Sequence, residues 1–257
     1  MLKNKKIIII ILSAILLITV IAIASIFLLG KKDNKVEEVV VTKEELQTNF
    51  QNIFSNKEYS DNEENIVSLI LEFNKSEEGK YDIKANFPQI NIENEEVHAI
   101  NEEIINIFGE KILDIINNNT AYTIFNLDYT TFTNNNILSL VLKATLKDGN
   151  NPKRTMIQTY NYDMQNNKFV NLEELIKIKD LNKYELQTEI INEVRKKSEN
   201  AKTFAEQGYN IYIRDIRSDE YLIENISNYF LGENGYLYIV FAYGNKNYTD
   251  TMDVMVF

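Results

Sequence analysis

The chain has 257 residues, 44% hydrophobic and 11% aromatic, with 2 prolines and 8 glycines, which is apolar material for one large or two small packed domains and excludes a disordered or fibrous chain. Five lysines and no acid fall in residues 1–32, so the 27 basic and 38 acidic residues of the whole chain leave 22 against 38, a net −16, from Asp33 onward. Such a surface repels nucleic acid and anionic lipid and steers cationic partners, and the lack of cysteine excludes disulfides, thiolate metal sites and a cysteine nucleophile.

Residues 1–6 form a short tip carrying Lys3, Lys5 and Lys6, followed by an uncharged apolar run over residues 7–30. A bilayer core needs about 20 apolar residues at about 1.5 Å rise each, so this run is expected to be a single transmembrane helix. The lysines before it favour a cytoplasmic N-terminus and an extracytoplasmic remainder at the cell membrane. Ala22-Ile23-Ala24 has the small-x-small form read by signal peptidase, but the apolar run continues through Ser25 to Leu29, so an uncleaved anchor is the preferred reading. Residues 31–64 read as a charged stalk, with a strand-like run at 36–41 and a weak helix at 43–54.

Beyond the stalk the patterns sharpen. Residues 66–73 and 80–87 alternate as two strands of a hairpin, and Pro88 closes the second. Asn94 is placed to cap a helix whose first turn holds Glu95 and Glu96, with Val97, Ile100, Ile104, Ile107, Phe108, Ile112 and Ile115 at helical spacing. Leu138, Leu140, Leu142, Ala144 and Leu146 alternate with Ser139, Val141, Lys143, Thr145 and Lys147, the pattern of a strand with one buried face. Asp148-Gly149-Asn150-Asn151-Pro152 turns the chain into a returning strand through Met156, Gln158, Tyr160 and Tyr162. A short helix from Leu172, a longer one through Tyr184, Ile190, Ile191 and Val194 with a stop at Gly208, and strands at 209–216, 236–243 and 251–257 complete the chain. The predicted class is α+β, antiparallel sheets of hairpins with packed helices after the transmembrane helix, and a parallel βαβ fold is disfavoured.

The order YDIKANFPQI, VHAINEEI, NNILSLVLKATL, TYNYDMQNNKFVNLEELI and YFLGENGYLYIVFAY resembles the RsiV-like extracellular domain family over about residues 65–257, in an N-terminal part 65–150 and a C-terminal part 151–257. That family includes the ectodomain of the lysozyme-binding anti-sigma-V factor and an accessory domain of a peptidoglycan deacetylase. Tyr160-Asn161-Tyr162-Asp163 followed by Lys168-Phe169-Val170-Asn171-Leu172-Glu173-Glu174-Leu175 is the most specific part of the likeness, and its charges read as serving turns and caps. Many members carry a Gly-Gly-Ala-His type turn where this chain has Asp148-Gly149-Asn150-Asn151-Pro152. Six residues before the span are too few for a sigma-binding segment, so an anti-sigma role is not expected. The resemblance implies a partner that is a cationic wall-active protein such as lysozyme, or a peptidoglycan component.

The residues themselves offer little catalytic chemistry. His98, the single histidine, has no second histidine or Ser/Asp pattern beside it and reads as an ordinary helix residue. The pairs Glu37-Glu38, Glu63-Glu64, Glu102-Glu103 and Glu173-Glu174 read as solvated faces in so acidic a chain. No phosphate loop, EF-hand or zinc-ligand spacing occurs, so no catalytic, cofactor or metal residue is nominated. The aromatic strand 236–243 reads as core before it reads as a binding platform. The candidate partner-binding residues lie in two turns: Asn150, Asn151, Lys153 and Arg154 in one, Asn245, Lys246 and Tyr248 in the other. The expected function is a non-enzymatic extracytoplasmic binding module, against the alternatives of a wall-modifying hydrolase or deacetylase accessory and a structural envelope protein. The membrane address predicts that an epitope tag after Phe257 is open to protease on intact cells and one before Met1 is not. Reversed accessibility would invert this topology, and a dominant soluble species starting at Ser25 would show cleavage after Ala24.

Overall fold

Side-chain alternation and two long amphipathic stretches build the fold, which a computed structural model describes for residues 42–55, 59, 61–62 and 64–257. The expected span 7–30, the strand-like run 36–41 and most of the stalk lie outside the described residues. No helix among the described residues is long and apolar enough to cross a membrane. The elements are α1 Lys43–Thr48, β1 Val67–Glu77, β2 Tyr81–Ile90, α2 Glu95–Asn118, β3 Thr123–Asn134, β4 Ile137–Asp148, β5 Arg154–Asp163, β6 Lys168–Phe169, α3 Leu172–Ile178, α4 Lys183–Glu206, β7 Tyr229–Leu231, β8 Leu237–Ala242 and β9 Met252–Val256.

Six strands form one sheet in the order β1-β2-β3-β4-β5-β6, and β7-β8-β9 form a second. The hairpins β1/β2 and β4/β5 form as the alternation predicts, but β1 runs on to Glu77 through the expected turn. Pro88 does not close β2: it lies inside the strand opposite Leu69, beside a register shift on edge strand β1, where a residue without an amide donor is tolerated. A strand the alternation did not reveal, β3, pairs parallel to β2 from Tyr81 opposite Thr123 to Ala85 opposite Leu127. The larger sheet is therefore mixed, and β2-α2-β3 is a parallel unit inside it, contrary to the all-antiparallel expectation. The physical reason is α2: its 24 residues carry the chain from one end of β2 back to the start of β3, which a crossover helix does and a hairpin turn cannot.

Helix α2 begins where its sequence dictates. The Asn94 side chain accepts hydrogen bonds from the Glu96 and Val97 amides at 2.8 and 3.3 Å, and Val97, Ile104, Phe108, Ile112 and Ile115 are buried against the sheet. Ile107, expected on the same stripe, is instead exposed on the flank. The apolar face of α2 covers Ile83, Phe125, Leu127, Leu140 and Leu142. The other face of the sheet is covered too, by Phe230, Tyr238, Val240 and Val254 of the small sheet, which meet Val141 and Ile157. Strand β4 is thus buried on both faces rather than one. The far side of the small sheet packs Leu237, Ile239 and Met255 on Leu175, Ile190 and Val194 of α3 and α4. The layers run helix, mixed sheet, small sheet, helices.

Three further features differ from, or refine, the sequence reading. Part of the expected stalk belongs to the fold: Phe50 and Phe54, on the 3-10 turn that follows α1, are buried between the sheets. The stretch through β5, β6 and α3 is scaffold, as its charges imply. Asp163 accepts from the Gln165 and Asn166 amides at 3.0 Å each, and Asn171 and Glu174 close a reciprocal capping box at the start of α3. The aromatic strand is core, with all six residues of β8 buried. Residues 209–216, in contrast, are not a ladder strand. The long helix ends by Gly208, at φ 91° in the left-handed region that favours glycine, and the chain then runs without regular structure until a 3-10 turn at Asp219–Tyr221.

That irregular stretch is tied down by a buried ion pair. Arg214 donates to Asp253 of β9 through Nε at 2.8 Å and Nη2 at 2.7 Å, with side-chain exposures of 9% and 2%. Lys197 adds a contact at 3.2 Å, and the Tyr243 hydroxyl donates to the same carboxylate at 2.7 Å. Burial alone would raise the Asp253 carboxyl, but the Arg214 hydrogen bonds, the Lys197 and Arg214 charges and the Tyr243 hydroxyl outweigh it and hold the group below the ordinary range. An unfolded aspartate titrates near about 3.9, so this carboxylate contributes stability that is complete above that pH and lost as pH falls through the lower folded value. Replacing Asp253 with Asn should cost about 3 kcal/mol at neutral pH, because Arg214 is left buried without its counter-charge. It should also flatten the acid limb of a stability-against-pH curve from urea titrations. An unchanged acid limb in Asp253→Asn would place the acid-labile carboxylates elsewhere.

Candidate functional site

The two nominated turns lie far apart in sequence and meet on one edge of the mixed sheet. Strand β5 has β4 along one side, but β6 pairs with it only at Tyr162 and Asp163. The backbone groups of the remaining outer edge need partners, since a buried unpaired amide or carbonyl costs about as much as a lost hydrogen bond. The turn after β8 provides them at Thr155 and Ile157. The Thr155 amide donates to the Thr249 carbonyl at 3.2 Å. Two residues on, Ile157 donates its N–H to Asn245 Oδ1 at 3.1 Å and accepts from Asn245 Nδ2 at 3.0 Å. A primary amide has the donor and acceptor of a peptide group, so Asn245 stands in for one residue of a neighbouring strand. At the far end of the edge the Val170 amide donates to the Asn161 carbonyl at 2.9 Å.

Arg154, at the start of β5, fastens the same turn. Its Nε donates to the Gly244 carbonyl and its Nη2 to the Asn245 carbonyl at 2.7 Å, while its guanidinium lies 5.7 Å from the centroid of the Tyr248 ring. Gly244 is there because a Cβ at that position would run into the Thr155 carbonyl. Arg154 and Asn245, nominated as recognition residues, are both engaged in fastening the turn to β5. The signal that distinguishes the roles, Gly244 beside Asn245, has meaning only once β5 is known to lack a neighbour.

The other candidates face outward around that seam. Lys153 and Asp250 form an exposed ion pair at 3.5 Å that bridges the two turns, and Lys246 contacts Glu220 at 3.1 Å. Tyr248 is 59% exposed. Asn150 is exposed, and Asn151 donates to Asp148 at 3.3 Å within its own turn. On one flank of the seam Asp148, Arg154 and Tyr248 meet the end of α2 around a hollow of about 130 Å3. On the other, residues 210–213 and 247–251 face each other across a groove of about 670 Å3. Among the described residues no group of three or more His, Cys, Asp or Glu is placed to hold a metal. His98 is exposed on α2, with its Nε2 3.8 Å from Glu93.

No protein-family profile matches the chain, and no curated protein matches it. Solved structures similar to it include a DUF3298 family protein from Pseudomonas aeruginosa PAO1, at a TM-score of 0.35 and 10% identity over 42% of this chain and 55% of that one. Another is a member of the same family from Bacteroides fragilis NCTC 9343, at a TM-score of 0.25 and 10% identity over 42% of this chain and 59% of that one. The chain spans little more than half the length of these structures.

The fastening role of Asn245 can be measured directly. Asn245→Ala strands both backbone groups of Ile157, which is itself buried, and should lower stability by about 1–3 kcal/mol in urea titrations. Lys153→Ala breaks only an exposed pair and should stay within about 0.5 kcal/mol of the parent. Equal, small losses in both variants would mean that the edge is sealed by something other than the Asn245 amide.

Proposed function

We propose that the chain is a membrane-anchored, extracytoplasmic binding module without catalytic activity, and that it recognises a cationic wall-active protein such as lysozyme, or a peptidoglycan component. The observation that carries this reading is the seam itself: two turns distant in sequence are fastened to one sheet edge by Asn245 and Arg154, and they present Asn150, Lys153, Lys246 and Tyr248 on a common frame. Side chains held this way lose little further freedom on binding, so more of each contact appears as affinity. The net −16 from Asp33 onward adds long-range attraction for a basic partner. An exposed tyrosine beside polar and charged neighbours is suited to a protein or glycan surface.

Charge steering and a specific contact separate kinetically. Exposed charges are screened over about 8 Å at physiological ionic strength, so salt should reduce the on-rate for lysozyme. Tyr248→Ala should shorten the lifetime of the complex roughly tenfold, about 1.4 kcal/mol, at every salt concentration. The measurement is surface-based binding kinetics of the full chain with lysozyme and with an unrelated protein of equal positive charge. Equal binding of both, abolished by moderate salt, would reduce the reading to charge alone. Turnover of wall material by the purified chain would replace it with a hydrolase or deacetylase.

A further inference from the structure

The stretch 209–216 has the sequence of a strand, Tyr-Asn-Ile-Tyr-Ile-Arg-Asp-Ile, and among the described residues it has no ladder partner. It is nevertheless held firmly, along one side only. Tyr212 packs on Tyr243 at 4.6 Å between centroids with the rings tilted by 33°, and Arg214 is clamped on Asp253. The inward carbonyls are taken as well, that of Tyr212 by Arg214 Nη1 at 3.2 Å and that of Arg214 by Ser198 Oγ at 2.8 Å. The intervening residues face the other way. Ile211 and Ile213 are 37% and 43% exposed, Tyr209 continues their row, and the amides and carbonyls of Ile211 and Ile213 have no hydrogen-bond partner among the described residues. Exposure alternates from Ile211 through Arg214 with the two-residue period of an extended chain. Residues two apart in such a chain direct their N–H and C=O groups to the same side, so these four groups form one open edge although no ladder is made there. It borders the 670 Å3 groove whose opposite wall is residues 247–251.

We propose that this edge accepts an extended, cationic segment of a partner protein by β-strand addition. The backbone of Ile211 and Ile213 supplies the ladder, and the row Tyr209, Ile211, Ile213 supplies an apolar strip for alternate side chains of the guest. The charge of the guest follows from the groove: its lining includes the carboxylate of Asp250 and no basic side chain, and Asp215 is exposed at the end of the edge. A basic residue in the guest therefore competes with Lys153 for Asp250, within a surface that is strongly acidic overall. An acidic guest gains no such partner at Asp250 and meets the acidic surface as a whole. The site lies beside the seam described above, yet it uses main-chain groups and does not depend on lysozyme being the ligand there.

The probe is a capped heptapeptide alternating valine and lysine, titrated into the full chain and followed by fluorescence anisotropy. It should bind saturably. The same peptide N-methylated along one edge, and a version with glutamate for lysine, should each bind at least about tenfold more weakly. Ile213→Pro removes one ladder donor at an exposed position and should weaken the parent peptide by a similar factor, with its urea midpoint confirming the fold. Failure of the parent peptide to bind, or equal binding of the N-methylated form, overturns the proposal without recourse to any variant. Concentration-dependent dimerisation that Ile213→Pro abolishes would make a second copy of the chain the occupant and overturn the assignment of a cationic partner. Lysozyme binding that survives Ile213→Pro while peptide binding is lost would separate this edge from the seam.

Discussion

The outer edge of β5 is the constraint around which the molecule is arranged. It offers peptide groups that must be paired, and β6 is only two residues long. The chain meets the requirement with a folded-back turn and the side chain of Asn245 rather than with another strand. That choice fixes the relation of the two sheets, since the turn belongs to the β8/β9 connection and its anchor lies on β5. A second set of side-chain substitutes repeats the device deeper in. Ser139 donates to Asn161 at 2.7 Å, Asn161 donates to the Tyr229 carbonyl at 2.8 Å, and the Leu231 amide donates to Ser139 at 3.1 Å. Polar residues on β4 and β5 thereby serve the backbone of β7, and the apolar sandwich between the sheets is held in one register.

The Arg214–Asp253 pair plays the matching part for the irregular stretch. Desolvating two charges is costly, and such a pair stabilises only when both partners have full hydrogen bonding. Here the carboxylate receives Arg214, Lys197 and Tyr243 together, and Tyr243 is in turn 3.1 Å from the Tyr221 hydroxyl. Burial first, then the Asp253 charge, pushes the Tyr243 phenol upward, so it remains a donor throughout the ordinary pH range. The consequence is directional. With its inner row pinned, residues 209–216 keep their outer row turned to solvent.

Much of the architecture is legible in the sequence because one face of each element is apolar at a fixed period. The β1/β2 and β4/β5 hairpins, the caps at Asn94 and Asn171 and the helices α2 and α4 all follow from such patterns. Strand β3 alternates as well, with Thr123, Phe125, Leu127 and Tyr129 buried, but Asn126, Asp128 and the Thr-rich end weaken the pattern, and no element is expected there from the sequence. Residues 209–216 fail in the opposite sense. Their β-branched and aromatic content expresses a capacity to pair, and propensity carries no information about whether a neighbour exists. That the two candidate turns are fastened together on one sheet edge is not legible in the sequence. What Asn245 and Arg154 do depends on residues about 90 positions away, and no local pattern encodes that.

A chain without cysteine must hold its fold by packing and by seals of this kind. The two principal ones, Asn245 on β5 and Arg214 on Asp253, lie on either side of the groove formed by residues 210–213 and 247–251. Each wall is therefore fixed from behind, and neither needs to reorganise when an extended guest enters. Pre-organisation lowers the entropic cost of adding a strand, so in the proposed mode affinity would derive from the main-chain groups of Ile211 and Ile213, which any sequence can meet. Discrimination must then come from side chains and charge. The apolar row of Tyr209, Ile211 and Ile213 would disfavour a guest that is polar on both faces, and Asp250 with the acidic surface would disfavour an anionic one. On the proposed reading, backbone pairing for affinity and acidity for selection would reside in the same groove, with the seals behind it holding both walls in place.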